Sequence, residues 1–125
     1  MSLKWGVRQI GDVSILDLSG RITLGEASAI LRDEVRDLLS NGHTKVVLNL
    51  AEVSHIDSSG LGELVGAFAT VGKAGGKLKL LNLQKRVRDL VQITKLYTVF
   101  ESFTDEKEAL RSFQAAAPAG SSPAS

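Results

Sequence analysis

Apolar side chains recur along the chain with two periods, and the alternation between them lays out the elements. Leu3, Trp5 and Val7 alternate with Lys4, Gly6 and Arg8, the period-2 pattern of a half-buried strand. Gly11-Asp12 supplies a turn, and VSILDLS (13–19) predicts a second strand folded back as a hairpin. The spacing then changes to helical. Ala27, Ile30, Leu31, Val35, Leu38 and Leu39 share one face, with Arg32, Asp33, Arg36 and Asp37 on the other. Ser40-Asn41-Gly42 stops this helix with small residues that tolerate the left-handed conformation.

Val46–Leu50 is an apolar run broken only by Asn49, as expected of a central strand buried on both faces. After HIDSSG, a second helix places Leu61, Leu64, Val65, Phe68 and Val71 on one stripe and ends at Gly75-Gly76. KLKLLNL (77–83) predicts a strand, and QKRVRDLVQITKL (84–96) a third helix with Leu83, Val87, Leu90 and Val91 facing inward. Val99–Phe103 predicts a short strand. Thr104 is placed as the cap of a last helix, whose first turn, DEKE, is mostly acidic as the helix dipole favours. Ala109, Leu110 and Phe113 form the apolar side of that helix. The order is ββαβαβαβα, an α/β domain over residues 1–114 with parallel neighbours mid-sheet and an antiparallel edge from the hairpin. Residues 115–125, AAAPAGSSPAS, hold no large apolar group and are expected to be a disordered tail.

Composition removes several function classes. A chain of 125 residues forms one domain. Its net charge of +1 gives no electrostatic footprint for nucleic acid and no polybasic patch for a membrane. Without cysteine there is no disulfide, thiolate chemistry or zinc–thiolate site. The start, MSLKWGVRQIG, lacks a signal-peptide apolar region, and the longest apolar stretch, near LVGAFATVG, falls short of the roughly 20 residues that span a bilayer. A cytoplasmic domain is expected.

The candidate chemistry lies in HIDSSGLG, residues 55–62. A nucleophilic serine needs a base and an orienting group. His55 lies three residues before Ser58 with no evident path to its hydroxyl, and is read as a partly exposed strand-end residue. The G-x-S-x-G elbow is absent. Asp57 has no second ligand at metal spacing, Glu63 being placed outward on the helix, and no phosphate-binding glycine motif is present. No metal, cofactor or catalytic residue is expected. What remains is position: a hydroxyl in the first turn of a helix sits beside unpaired N–H groups and the positive end of the dipole. Such a site suits an attached phosphate. Gly60 and Gly62 would leave that turn open to close approach by another protein. On physics alone, Ser58 or Ser59 acting as an ordinary N-cap is the favoured reading.

VVLNLAEVSHIDSSGLGEL resembles the signature of the STAS domain, in particular that of the bacterial anti-sigma factor antagonists. The resemblance runs from the opening hairpin and LSGRI (18–22) through GGKLKLLNL and VRDLVQITKL to VFESFTDEKEAL. It implies the STAS fold, a mixed, mostly parallel sheet with helices mainly on one side, and a non-enzymatic protein that is monomeric when free. It also implies Ser58 as the phosphorylation site, with Asp57 beside it, Ser59 as the capping hydroxyl, and Gly60, Leu61 and Gly62 as an exposed turn read by a partner. The partners implied are an anti-sigma factor that is a serine kinase and a PP2C-type serine phosphatase. In such partner switching the unphosphorylated domain displaces a sigma factor, and phosphorylation ends the interaction. Family members often carry an acid soon after the strand-2 glycine; here Gly20 is followed by Arg21-Ile22-Thr23, so Arg21 and Thr23 join the expected partner surface. The basic cluster Lys85, Arg86 and Arg88 is read as a solvated helix face ahead of a partner surface. A STAS subunit of a larger signalling or lipid-transport assembly, with no phosphoswitch, is the alternative.

Overall fold

A computed structural model describes residues 3–115. The element order is β1 (Lys4–Ile10), β2 (Val13–Ile22), α1 (Glu26–Ser40), β3 (Lys45–Ile56), α2 (Ser58–Lys73), β4 (Lys77–Leu81), α3 (Lys85–Ile93), a 3-10 turn at Leu96–Thr98, β5 (Ser102–Phe103) and α4 (Glu106–Ala115). The five strands lie in sequence order, with β1 antiparallel to β2 and every other pair parallel. The ββαβαβαβα reading and the mixed sheet are borne out. The expected tail, 115–125, lies outside the described residues apart from Ala115, which closes α4.

Alternation along the strands assigns the two faces of the sheet. Leu16, Leu18, Val46, Leu48, Leu50, Leu78 and Leu80 turn toward α1, α2 and α3 and build the larger core with Leu31, Val35, Leu64, Val71 and Val87. Val13, Ile15, Val47 and Leu81 turn the other way, under Ala109 and Phe113 of α4. Helices therefore cover mainly one side, and α4 alone covers part of the other. Lys79 sits on the α4 side and is buried. Its ammonium donates to Ser112 Oγ (2.8 Å), pairs with Glu101 (3.2 Å) and lies 4.5 Å from the centroid of the Phe113 ring. That set of partners offsets the desolvation of a buried charge.

Several local expectations change. β1 forms, but Trp5 and Val7 are each 46% exposed. The strand lies at the sheet edge, where only Leu3 reaches the core; Arg8, on the opposite face, is held by Asp17 (2.6 Å) and Glu106 (2.8 Å). These two carboxylates, Asp17 foremost, push the Arg8 pKa up, and Arg8 in turn pushes the Asp17 carboxyl down. β3 runs six residues beyond Leu50, because its ladder with β2 continues to Arg21↔His55 and Ile22↔Ile56. β4 stops at Leu81, where Asn82 adopts φ 59° and its amide reaches Asn49. α3 ends at Ile93, ahead of a left-handed Lys95.

The strand expected over Val99–Phe103 shrinks to Ser102–Phe103. Phe100 leaves the sheet to pack edge-on against Phe68, with centroids 5.5 Å apart. On α2, Val65 lies outside the buried stripe and Ala67 lies within it. α4 starts at Glu106 with the Asp105 carbonyl as its first acceptor, so Thr104 lies one residue outside the cap position.

Phe113 is the largest apolar group joining α4 to the sheet. Phe113→Ala is expected to cost about 3 kcal/mol of unfolding free energy in urea denaturation, in the range for a core aromatic truncation. A loss under about 0.5 kcal/mol would show that α4 is not part of the cooperative fold.

Candidate functional site

The site forms where β2 and β3 end side by side. The Asp57 amide donates to the Ile22 carbonyl (3.3 Å), so the chain leaves β3 still tied to β2 and then turns into α2. Asp57 is extended and occupies the N-cap position; its Oδ1 accepts from Gly60 N (2.8 Å) and the helix begins at Ser58. The capping role expected of Ser59 therefore belongs to Asp57. An aspartate suits it well, because its carboxylate meets both the unpaired N–H groups and the dipole at the helix start. Its Oδ2 accepts from Leu24 N (3.1 Å), in the loop between β2 and α1. The backbone bond from Gly60 is the foremost cause, and that from Leu24 the next, holding the Asp57 carboxyl below the ordinary carboxylate range.

With Asp57 as the cap, Ser58 is the first residue of the helix. It is exposed, and its hydroxyl has no hydrogen-bond partner among the described residues. Ser59 is half-buried. The glycines divide. Gly62 is exposed, and a Cβ there would meet nothing within 4 Å, as expected of an open turn. Gly60 is buried, and a Cβ there would stand 2.0 Å from the Ile22 carbonyl oxygen. It serves close packing of α2 onto β2 instead of outside approach. Leu61 is likewise buried and supports the turn from beneath.

Arg21 is exposed at the end of β2, opposite His55 in the ladder. Thr23 is half-buried, and its carbonyl accepts from Ser28 Oγ (3.0 Å). Both flank the turn. Glu63 does not simply face outward: it pairs with Arg32 of α1 at 3.2 Å.

One residue escaped the sequence reading. Leu24 is 78% exposed, and its N–H is bound to Asp57, so an uncovered apolar residue is tethered to the residue that precedes Ser58. The available signal was a leucine between Thr23 and Gly25 that fits neither the strand nor the helix periodicity. Among the described residues no group of three or more His, Asp or Glu could hold a metal ion, and no helix is long and apolar enough to cross a membrane.

The model of the STAS domain family matches residues 4–109. The anti-sigma-B factor antagonist of Bacillus subtilis is 35% identical over 101 residues, which make up 81% of this chain and 91% of that protein. Among solved structures, an anti-sigma factor antagonist from Mycobacterium paratuberculosis superposes with a TM-score of 0.78 at 22% identity, covering 89% of this chain and 93% of that one. The Bacillus cell fate determinant SpoIIAA in its phosphorylated form gives 0.67 at 22% identity, over 86% and 98%. The chain is a STAS domain protein and belongs to the family of the anti-sigma factor antagonists.

Two outcomes test this geometry. Gly60→Ala is expected to lower stability by about 1–3 kcal/mol, as overpacking does, while Gly62→Ala is tolerated. Equal effects in thermal unfolding would contradict the close approach to Ile22. Because the Asp57 carboxyl is depressed in the fold, its contribution is present above the unfolded value near 3.9 and lost as pH falls through the lower folded value. Wild type and Asp57→Ala should therefore differ in urea midpoint at pH 7 and converge as pH falls through the depressed folded value. A pH-independent gap would contradict the double cap.

Proposed function

We propose that this protein is an anti-sigma factor antagonist that acts by partner switching, with Ser58 as the residue phosphorylated. The observation that carries the reading is the exposed, unengaged Ser58 hydroxyl in the first turn of α2, beside an aspartate whose oxygens are already taken by backbone. Such a hydroxyl is free to enter a kinase active site without breaking a bond of its own fold. The unphosphorylated protein binds an anti-sigma factor that is also a serine kinase, and the sigma factor is released. The kinase transfers the terminal phosphoryl group of ATP to Ser58 Oγ, leaving ADP, and the hydroxyl proton passes to solvent. A PP2C-type serine phosphatase restores the hydroxyl by hydrolysis. This cycle belongs in the cytoplasm, with a free protein that is monomeric.

The contact surface in this reading is Ser58, Asp57, Ser59, Gly62, Arg21 and Thr23, supported from below by Gly60 and Leu61, with Leu24 as its apolar anchor. A phosphate on Ser58 puts a charge of roughly −1.5 to −2 next to the Asp57 carboxylate and into the contact itself. Repulsion and desolvation then separate the proteins without refolding either.

Incubation with ATP and the serine kinase encoded nearest to this protein, followed by mass spectrometry, is expected to place one phosphate on Ser58 and none on the Ser58→Ala variant. A phosphate on Ser59 with Ser58 unmodified, or no phosphate with any neighbouring kinase, would overturn the assignment. Leu24→Ala should weaken kinase binding by about 1–2 kcal/mol, as for an interface anchor, while leaving the thermal midpoint within a degree or two. Unchanged affinity in calorimetry would remove Leu24 from the surface.

A further inference from the structure

A second feature of the same end of the sheet shares only Arg21 with the contact surface of the switch. Between the ends of β2 and β3 and the start of α3 lies a cavity of about 450 Å³ lined by Arg21, Ser54, His55, Gln84 and Arg86. Two guanidinium groups and an imidazole converge there, and no carboxylate lines it. Arg21 and Arg86 form no ion pair among the described residues. The His55 Nδ1 is enclosed and has no hydrogen-bond partner among the described residues.

The start of α3 adds an electrostatic misfit. Its first turn carries Lys85, Arg86 and Arg88 and no acid, at the end of the helix where the dipole is positive. The capping position is Gln84, whose side chain makes no cap; its Nε2 donates instead to the Ala51 carbonyl (2.8 Å), which fixes that wall of the cavity. Lys85 is answered by Asp89 at 2.9 Å. Arg86 is not, and with Arg21 it leaves two guanidinium groups without a carboxylate partner in a pocket beside a helix start that lacks a side-chain cap. Local conflicts of this kind, uncorrected within the fold, mark places where a ligand completes the electrostatics. The cavity between α1 and α2 also contains arginines, but there Glu63 already satisfies Arg32.

We propose that the Arg21–His55–Arg86 pocket binds a phosphoryl oxyanion. A carboxylate presents two oxygens in one plane, which match the face of a single guanidinium fork. A tetrahedral phosphoryl dianion offers three oxygens out of plane and can engage two forks at once, beside the His55 ring and the start of α3. The site does not require Ser58 to act as a switch. The phosphoryl group could be free in solution or carried on a phosphorylated Ser58, and the two sources are separable.

The test is titration of inorganic phosphate into the isotopically labelled protein at constant ionic strength, with chloride as the control anion, followed by NMR of the His55 ring and the Gln84–Arg86 amides. A free-phosphate site gives saturable shifts confined to these groups, retained in Ser58→Ala and weakened roughly tenfold in Arg86→Gln. A site filled by phosphoserine gives no saturation with inorganic phosphate, but shifts the same signals once Ser58 is phosphorylated, and Arg86→Gln abolishes those shifts. The spectra themselves report that each variant is folded. Linear shifts equal to those with chloride, together with no response to phosphorylation, would overturn the proposal, as would an unchanged response in Arg86→Gln.

Discussion

The Asp57 carboxylate accepts hydrogen bonds from main-chain N–H groups of two different elements: Gly60 in the first turn of α2 and Leu24 in the loop that opens α1. Each bond satisfies a donor that a helix start or a tight loop otherwise leaves to water. Together they fix the relation between two segments 33 residues apart in the chain. The position of Ser58 follows. Because an aspartate caps the helix, the serine that comes next has no structural duty and points its hydroxyl outward. A serine in the cap itself would have its oxygen committed to the backbone. The acid thus takes the capping role and leaves the serine hydroxyl uncommitted.

Beneath this junction, the fold supplies rigidity by close approach. β3 is long and central, and its ladder with β2 persists to Ile22↔Ile56, one residue before Asp57. The Ile22 carbonyl accepts the Asp57 amide and stands where a Cβ on Gly60 would be. α2 can therefore begin only at one height above the sheet. Gly76 repeats the device at the other end of α2, where a Cβ would lie 2.1 Å from the Thr44 carbonyl oxygen as the chain enters β4. The helix that carries the site is seated at both ends by glycines pressed onto neighbouring backbone. The two-sided core between these points makes the platform stiff.

How far the sequence disclosed this depends on the range of each interaction. Helical stripes such as Leu31, Val35 and Leu38, and the apolar run of β3, announce themselves because periodicity is a local property. The edge strand misled, since alternation at Trp5 and Val7 says nothing of whether a helix covers that face. Phe100 misled for a related reason: its neighbours read as a strand, but its ring is drawn out of the ladder toward Phe68 of α2. At the site, DSSGLG was legible as a helix start bearing a surplus hydroxyl. The division of labour between Asp57 and Ser59 was not, because it depends on the Leu24 amide arriving from another loop. The exposure of Leu24 and the convergence of Arg21, His55 and Arg86 are likewise products of the β2–β3 register and of where α3 begins. No window of sequence contains them.

The central claim is that one phosphate on Ser58 changes a contact and leaves the fold as it is. The most direct measurement is the affinity of the cognate anti-sigma factor for this protein before and after stoichiometric phosphorylation, with the amide NMR spectrum recorded on both forms. The account predicts affinity weaker by roughly a hundredfold, equivalent to about 3 kcal/mol, with spectral changes confined to the start of α2 and the loops around it. Equal affinity of the two forms, or loss of binding accompanied by shifts throughout the sheet, would contradict it.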